Sequence, residues 1–221
     1  MYVGWYMKTN LLTISPETSI FKAREMMDSH KISHLPVTDG KAHLLGLVTD
    51  RDLKEIWASP ATTLSVHELT YALQKLTVGN IMTKTVITAT PDMNIERAAL
   101  MVHDNKIGAL PVLKDDKLVG IITITDLMEV LLTALGIEDS KRISLLAVDR
   151  IGIVAEVGKL MAQAGINIAS VMAMPLRGHT EIWQMIMRVK ADVFDRAVQI
   201  LRDADFKVIT SYVDDLEPYL P

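Results

Sequence analysis

Hydrophobic positions in the first 135 residues follow one pattern twice. In each copy a short extended piece, Leu11–Thr13 or Val86–Thr88, leads into a Pro that suits the first turn of a helix. Apolar residues at helical spacing then predict a helix in each copy: Ile20, Ala23, Met26 and Met27, and later Ile95, Ala98, Leu100, Met101 and Val102. Two strands follow in each: Leu35–Val37 and Leu44–Thr49, then Leu110–Leu113 and Leu118–Thr123. Asp52 and Asp126 open a last helix in each copy, so the predicted unit is β-α-β-β-α.

The two units are copies of one sequence. Pro16 and Pro91 are 75 positions apart, and the segment 31–37 returns at the same offset as 106–112. After a slip of one residue in the turn, Gly46-Leu47-Val48-Thr49 returns as Gly120-Ile121-Ile122-Thr123. Two copies imply a pseudo-symmetric pair with equivalent clefts where the halves meet.

A second pattern follows the repeats. Gly136 and a polar linker precede segments that predict β-α-β-β-α-β, a split βαβ sandwich. Its predicted strands are Ile143–Val148, Ile168–Met174, Thr180–Val189 and Phe206–Val213. Between the repeats, a capping box of Ser65 and Glu68 predicts a helix that runs to about Lys75. The fold class is therefore α+β: residues 1–76 hold the first repeat and the inter-repeat helix, 77–137 the second repeat, and 138–221 the C-terminal domain.

Composition narrows the classes of function. The 221 residues are 49% hydrophobic and 23% charged, with a net charge of −4 and basic residues scattered, so we expect no nucleic-acid partner. The absence of cysteine excludes disulfides, thiol catalysis and cysteine metal sites. The first residues have no basic segment followed by an apolar one, so we expect no secretory signal, and no apolar run approaches the ~20 residues of a membrane span. We expect a cytoplasmic protein without a membrane partner.

The pattern Gly-x-x-Thr-x-x-Asp carries the candidate chemistry. It ends a strand and opens a helix at Gly46, Thr49 and Asp52 and again at the second repeat. Helix N-terminal amides favour a phosphate, the Thr hydroxyl can donate to it, and the Asp carboxylate can accept from ribose hydroxyls. The alternative is a capping box, which has the same Thr-x-x-Asp spacing and requires no ligand.

These residues, the Leu-Pro-Val strands and the duplication resemble a CBS-domain pair, the Bateman module, over residues 3 to about 135. The resemblance implies a regulatory adenine nucleotide (AMP, ADP or ATP) or another adenosine-containing ligand, no catalytic residues and no metal. It places Asp52 and Asp126 at ribose and Thr49 and Thr123 at phosphate. The nucleotide-binding candidates it implies are Asn10, Leu11, Ile32, Ser33, His34, Pro36, Thr49, Arg51, Asp52, Thr85, Val86, Ile107, Gly108, Ala109, Pro111, Thr123 and Asp126.

The two clefts differ in charge. Cleft one, beside Thr49 and Asp52, has the polar or cationic residues Ser33, His34 and Arg51. Cleft two, beside Thr123 and Asp126, has Gly108, Ala109 and Thr125 at the matching places. Because a charged phosphate is held best by charge-assisted bonds, we expect cleft one to bind the more highly phosphorylated ligand. Cleft two is expected to bind weakly, to take adenosine chemistry or to stay empty.

The C-terminal block resembles an ACT domain through Asp149-Arg150-Ile151-Gly152 and Gly165-Ile166-Asn167-Ile168. Members of that family often bind amino acids at a dimer interface and frequently have Pro where this chain has Ile151. The resemblance implies Asp149, Gly152 and Asn167 as ligand candidates: Gly152 would let a carboxylate approach helix amides, and Asn167 would hydrogen-bond it. The alternative is a domain that serves oligomerisation only.

A CBS pair followed by ACT, with Ala61–Leu69 between the repeats, resembles the bacterial acetoin-utilisation protein B (AcuB) group. This implies a non-catalytic homodimeric sensor linked to acetoin or acetate metabolism, acting on an unknown regulated protein. A structural adaptor with vestigial clefts is the alternative. An enzyme fits less well, because the sequence has no P-loop, G-x-G-x-x-G, G-x-S-x-G or metal-ligand cluster.

Overall fold

The computed structural model describes residues 1–58 and 75–221 and divides the chain into two compact units, Met1–Met128 and Glu129–Pro221. The helix predicted from Ser65, with its capping box, falls on residues outside the described ones.

The first repeat consists of α1 (Ile20–His30), β1 (His34–Thr38), β2 (Leu44–Thr49) and α2 (Asp50–Ala58). The Ser19 hydroxyl accepts from the Lys22 amide and caps α1, which ends at Lys31 with a left-handed φ of 54°. The strands pair antiparallel, with His34 opposite Thr49. A buried core fills the space between helix and sheet: Ile14, Ile20, Ala23, Met27, Leu35, Val37, Val48, Leu53 and Val78.

The second repeat follows the same plan. It consists of α3 (Val78–Ile81), α4 (Ile95–Asn105), β3 (Ala109–Lys114), β4 (Lys117–Thr123) and α5 (Ile124–Leu135). The Asn94 side chain caps α4, and Lys106 ends it with the same φ of 54° as Lys31. Ala109 lies opposite Thr123, as His34 lies opposite Thr49, so the two hairpins share one register.

The leading extended piece of each repeat forms no strand at the predicted residues, Leu11–Thr13 and Val86–Thr88, and pairs only at the residue that follows them. It makes a single parallel bridge, Ile14 with Val37 in the first copy and Ala89 with Val112 in the second. The Ile14 amide donates to the Pro36 carbonyl at 3.1 Å. Two residues later in each copy stands a Pro, which has no N–H with which to continue the ladder.

The C-terminal unit carries β5 (Ser140–Val148), α6 (Ile153–Gln163), β6 (Ile168–Leu176), β7 (His179–Lys190), α7 (Phe194–Asp203) and β8 (Lys207–Ile209). The strand order is β6-β7-β5-β8, and every pairing is antiparallel. Alternate residues of the sheet pack against the two helices in one buried core, which includes Ile143, Leu145, Met185, Met187, Val157, Met161, Ala197 and Leu201. The βαββαβ fold is confirmed.

The last strand of this unit is shorter than the predicted Phe206–Val213. Only Lys207–Ile209 pairs, opposite residues 144–146 of β5. Beyond Ile209 the chain leaves the sheet and ends in a short 3₁₀ turn at Glu217–Tyr219.

Candidate functional site

Cleft one is built where β2 ends and α2 begins. The Thr49 amide and hydroxyl donate to Asp52 Oδ2 at 2.7 and 2.8 Å, and the Asp52 amide faces Thr49 Oγ1 at 3.3 Å. This is the capping box that the spacing allowed as an alternative. It uses one carboxylate oxygen, and Asp52 Oδ1 has no hydrogen-bond partner among the described residues. The cap therefore orients Asp52 and leaves its second oxygen available to a ligand.

A cavity of about 450 Å³ lies beside this carboxylate. Its walls come from both repeats: Ser33, His34, Leu47, Thr49, Asp50, Arg51, Asp52, Thr83, Thr85, Val86, Ile87, Lys106, Ile107, Gly108 and Ala109. The cavity has the size of a small-molecule site. The repeat pairing thus brings together ten of the residues proposed from the sequence.

His34 crosses from the first repeat to the second. A Cβ built on Gly108 would lie 2.6 Å from His34 Nε2, so the imidazole occupies space that only a glycine leaves open. Burial lowers the pKa of His34 below its usual value, and the nearby Asp52 carboxylate opposes that shift. The imidazole is therefore neutral at pH 7, and an arriving phosphate would favour its protonated form.

The charged side chains that line cleft one are two cations, Arg51 and Lys106, and two carboxylates, Asp50 and Asp52. Arg51 and Lys106 are both exposed and line the cavity. The acidic Asp50 is compensated, since its carboxylate lies 2.5 Å from Lys54 Nζ and 3.7 Å from Arg24 Nη1. An anionic ligand therefore meets two cations beside the neutralised Asp50, while Asp52 faces the part of the ligand that donates hydrogen bonds.

Cleft two repeats the cap but not its surroundings. The Thr123 amide and hydroxyl donate to Asp126 Oδ2 at 2.8 and 2.6 Å. Lys8 Nζ lies 2.8 Å from Asp126 Oδ1, so the second oxygen is also engaged. Burial of Asp126 favours its neutral form, but the hydrogen bonds from Lys8 and Thr123 outweigh burial and hold the pKa below its usual value.

Several residues proposed from the sequence serve the fold. Pro36 and Pro111 are buried in their strands, and their carbonyls accept the bridging amides of Ile14 and Ala89. Ile32 packs against the core of the first repeat. Asn10 and Leu11 follow Lys8 on the segment that pairs with β4, and Asn10 is exposed.

Sequence reasoning missed Lys8 and five cavity residues: Leu47, Asp50, Thr83, Ile87 and Lys106. The constant offset between the repeats could have identified Lys8 as a candidate. Lys8 and Thr83 are 75 positions apart, so Lys8 is the copy of a residue that lines cleft one.

The C-terminal unit has a pocket of about 540 Å³ at the junction of β5 and α6. Asp149 and Gly152 line it together with apolar residues, which include Ile153, Ala173, Trp183 and Met185. Gly152 has a φ of 91° and directly precedes α6, so the helix amides open onto this pocket. Asn167 is exposed and is not among the lining residues.

The described residues contain neither a candidate metal cluster nor a helix suited to a membrane. Within 1–58 and 75–221, no three His, Cys, Asp or Glu side chains group where they could hold a metal ion. The helices described there are all too short or too polar to cross a bilayer.

A duplicated β-α-β-β-α unit with a pocket lined by both copies, joined to a βαββαβ domain, is an architecture of regulatory modules. The CBS domain profile matches residues 4–59 and 78–133, and the ACT domain profile matches 141–206. The chain therefore belongs to the CBS-domain family and carries a C-terminal ACT domain. CBS and ACT domains are regulatory rather than catalytic modules.

Curated relatives match the repeat region. A CBS domain-containing protein of Dictyostelium discoideum is 31% identical over 130 residues, which cover 58% of this chain and 90% of that protein. An inosine-5′-monophosphate dehydrogenase of Methanocaldococcus jannaschii is 30% identical over 121 residues, 54% of this chain but 21% of the enzyme. The chain thus spans about a fifth of the enzymes it matches.

Three solved structures resemble the repeat pair. CBSX2 in complex with AMP is 30% identical with a TM-score of 0.51, covering 60% of this chain and 96% of that one. The CBS pair of protein MJ0100, in complex with 5′-methylthioadenosine and S-adenosyl-L-methionine, is 27% identical with a TM-score of 0.52, covering 60% and 97%. A Vibrio cholerae protein described as an acetoin utilization protein (AcuB) is 26% identical with a TM-score of 0.53, covering 62% and 95%.

Proposed function

We propose that this protein is a non-catalytic sensor that binds an adenine nucleotide, AMP, ADP or ATP, in cleft one. The observation that carries the proposal is the Asp52 carboxylate, whose cap uses one oxygen and whose second oxygen bonds to no described residue, in a cavity lined by both repeats. The structural neighbours in complex with AMP and with S-adenosyl-L-methionine support the ligand class.

Different residues of the cavity wall contact the ribose, the phosphate and the purine. The Asp52 carboxylate accepts from ribose hydroxyls, and Arg51 and Lys106 face the phosphate. Thr49, which the resemblance placed at phosphate, gives both its amide and its hydroxyl proton to Asp52 and serves the cap instead. The apolar side chains of Val86, Ile87 and Ile107 flank the purine. Since residues of both repeats close on one ligand, binding stabilises the pair relative to any arrangement in which the cleft is open.

Calorimetric titration tests the proposal. Wild-type protein should bind AMP or ATP with release of heat and should gain thermal stability as the ligand concentration rises. Asp52→Asn should weaken the response strongly, whereas Asp104→Asn, which changes an exposed carboxylate on α4, should leave it intact. Mass spectrometry of the purified protein would identify a ligand carried from the cell. A flat response to adenine nucleotides and S-adenosyl-L-methionine would favour the adaptor with vestigial clefts.

We also propose that the protein acts as a cytoplasmic homodimer. The helix α5 exposes a stripe of large apolar side chains, Ile124, Met128, Leu131 and Leu132, each 46–53% exposed. Residues at this spacing share one helix face, and an exposed apolar face of this kind marks a protein contact. Light scattering should give the mass of a dimer for the wild type, and Leu131→Glu should shift it towards that of one chain. The Glu129→Lys variant, on the same helix, is the control.

The proposed role of the ACT domain is dimerisation or recognition of an amino acid. The pocket beside Gly152 supports the second role, because exposed helix amides suit a carboxylate and the apolar lining suits a side chain. A panel of amino acids in a thermal-shift assay, with Gly152→Ala as the variant, tests it. The link to acetoin or acetate metabolism rests on the AcuB neighbour, and a binding partner captured from an acetoin-grown bacterium would test that link.

A further inference from the structure

The two clefts have one difference that lies outside the Thr-x-x-Asp motif. In cleft two, Lys8 Nζ and Thr123 together engage both oxygens of Asp126, whose side chain is only 8% exposed. In cleft one, only the cap engages Asp52, and its Oδ1 has no hydrogen-bond partner among the described residues.

Lys8 and Thr83 occupy the same structural position. The Lys8 amide donates to Ile121 at 2.9 Å and its carbonyl accepts from Ile121 at 3.0 Å. Thr83 exchanges the same two bonds with Leu47 at 2.9 and 3.0 Å. Ile121 and Leu47 each lie two residues before the motif threonine. The two positions therefore present their side chains to equivalent carboxylates, one as an ammonium and the other as a short neutral hydroxyl.

An ammonium and a ribose compete for the same oxygen. A ribose hydroxyl would have to displace a charge-assisted bond at Asp126, whereas at Asp52 it would meet an oxygen that no residue of 1–58 or 75–221 engages. The Lys8 side chain is 64% exposed and can turn into solvent, so the competition is a matter of populations. The affinity of cleft two is then reduced by the fraction of molecules in which Lys8 has left Asp126.

We propose that Lys8 is the residue that sets how many nucleotides one chain binds, by holding the ribose acceptor of cleft two in an internal ion pair. The inference rests on the proposed function of cleft one. It makes the position of Lys8 and Thr83 a specificity determinant that operates from outside the recognised motif.

Exchange of the two residues tests the inference. Titration of the wild type with AMP should give one site per chain. Lys8→Thr should add a second site, or tighten an existing weak one by about tenfold or more. Thr83→Lys should weaken cleft one by a similar factor, because it places an ammonium beside Asp52. Lys8→Arg, which keeps the charge, should bind as the wild type does.

The outcomes separate this inference from the proposed function. One site in both the wild type and Lys8→Thr, or two equal sites in the wild type, would overturn the role of Lys8 and leave cleft one as proposed. Loss of a site in Lys8→Thr would show that Lys8 binds phosphate, and this result would also overturn the proposed blocking role of Lys8. If neither the wild type nor any variant bound AMP, the proposed function and the inference about Lys8 would both be contradicted.

A readout without ligand keeps the ion pair itself testable. Carbon-detected NMR of the Asp126 carboxyl should show a higher pKa in Lys8→Thr than in the wild type, because the opposing burial then acts without the cation. An unchanged titration would show that Lys8 does not engage Asp126 in solution. Thermal unfolding of both proteins verifies that the variant is folded.

Discussion

Cleft one and cleft two share a motif, a register and a cap, yet they offer a ligand different groups. Both motif aspartates orient themselves through a threonine, with hydrogen bonds of 2.6–2.8 Å to one oxygen. The residues that differ come from other segments: Lys8 against Thr83, and Ala109 against His34. A duplicated motif therefore preserves the cap, while the facing segments decide whether the cap also serves a ligand.

One aspartate can serve both a capping box and a binding site, because its carboxylate has two oxygens. A cap needs one carboxylate oxygen for two donors, and the helix start is stabilised by about 1 kcal/mol in either cleft. The second oxygen is free to acquire another role. In cleft one Asp52 lines a cavity, and in cleft two the second oxygen of Asp126 pairs with Lys8.

The largest expected effect concerns the two aspartates. Asp52→Asn should lower the affinity for AMP by about 10- to 100-fold, since hydrogen bonds to a charged group contribute about 1.5–3 kcal/mol. Asp126→Asn should change the affinity less than about threefold, because in the wild type its carboxylate is engaged by Lys8. Calorimetric titration of both variants provides the comparison. Equal losses would show that the clefts are equivalent.

The next largest effect should come from Gly46 and Gly120, two hairpin glycines that another backbone segment approaches closely. A Cβ on Gly46 would lie 2.9 Å from the Thr83 carbonyl, whereas one on Gly120 would lie 3.2 Å from the Lys8 carbonyl. We expect Gly46→Ala to lower the free energy of unfolding by about 2 kcal/mol and Gly120→Ala by about 1 kcal/mol. Urea unfolding measures both.

Gly40→Ala is the matched control, because a Cβ there has nothing within 4 Å. If Gly120→Ala proves the more damaging of the pair, the segment carrying Lys8 is held more rigidly than the one carrying Thr83.

Much of this structure can be predicted from the sequence, and the predictions that were wrong have physical explanations. Periodicity and the repeat located the helices and hairpins, because each copy buries the same face. The predicted leading strands are replaced by one bridge each, at Ile14 and Ala89, since Pro16 and Pro91 cannot continue the ladder. The Lys8–Asp126 pair depends on which segment crosses which hairpin, and local pattern contains no such information.

The contact between His34 and Gly108 gives a third, smaller effect. The residues that match His34 and Gly108 in the other repeat are Ala109 and Ser33. The imidazole and the glycine that makes room for it therefore occur once in the repeat pair and not twice. Gly108→Ala should displace the imidazole and lower the free energy of unfolding by about 1 kcal/mol. The loss should vanish in the His34→Ala background, which a double-mutant cycle of urea unfolding measures. A loss that persists there would assign the strain to the backbone.

The smallest effect is a pH dependence that only cleft one should show. Burial lowers the pKa of His34 in the folded protein, against the raising influence of Asp52, so the unfolded chain binds a proton more readily near its ordinary value of about 6.5. Stability from this group is therefore present above that pH and is lost as the pH falls through the unfolded value towards the folded one. Ala109, at the matching position of the second repeat, has no titratable group and contributes nothing in the same window.

The difference between wild type and His34→Gln isolates this term, because Asp52, Asp50, Arg51 and Lys106 stay in place around it. Urea unfolding between pH 8 and pH 6 should show a steeper loss of stability in the wild type than in the variant. Bound AMP should reverse the sign, since a phosphate near the imidazole favours protonation, whereas adenosine should not. An identical pH slope for AMP and adenosine would place the phosphate away from His34 and towards Arg51 and Lys106.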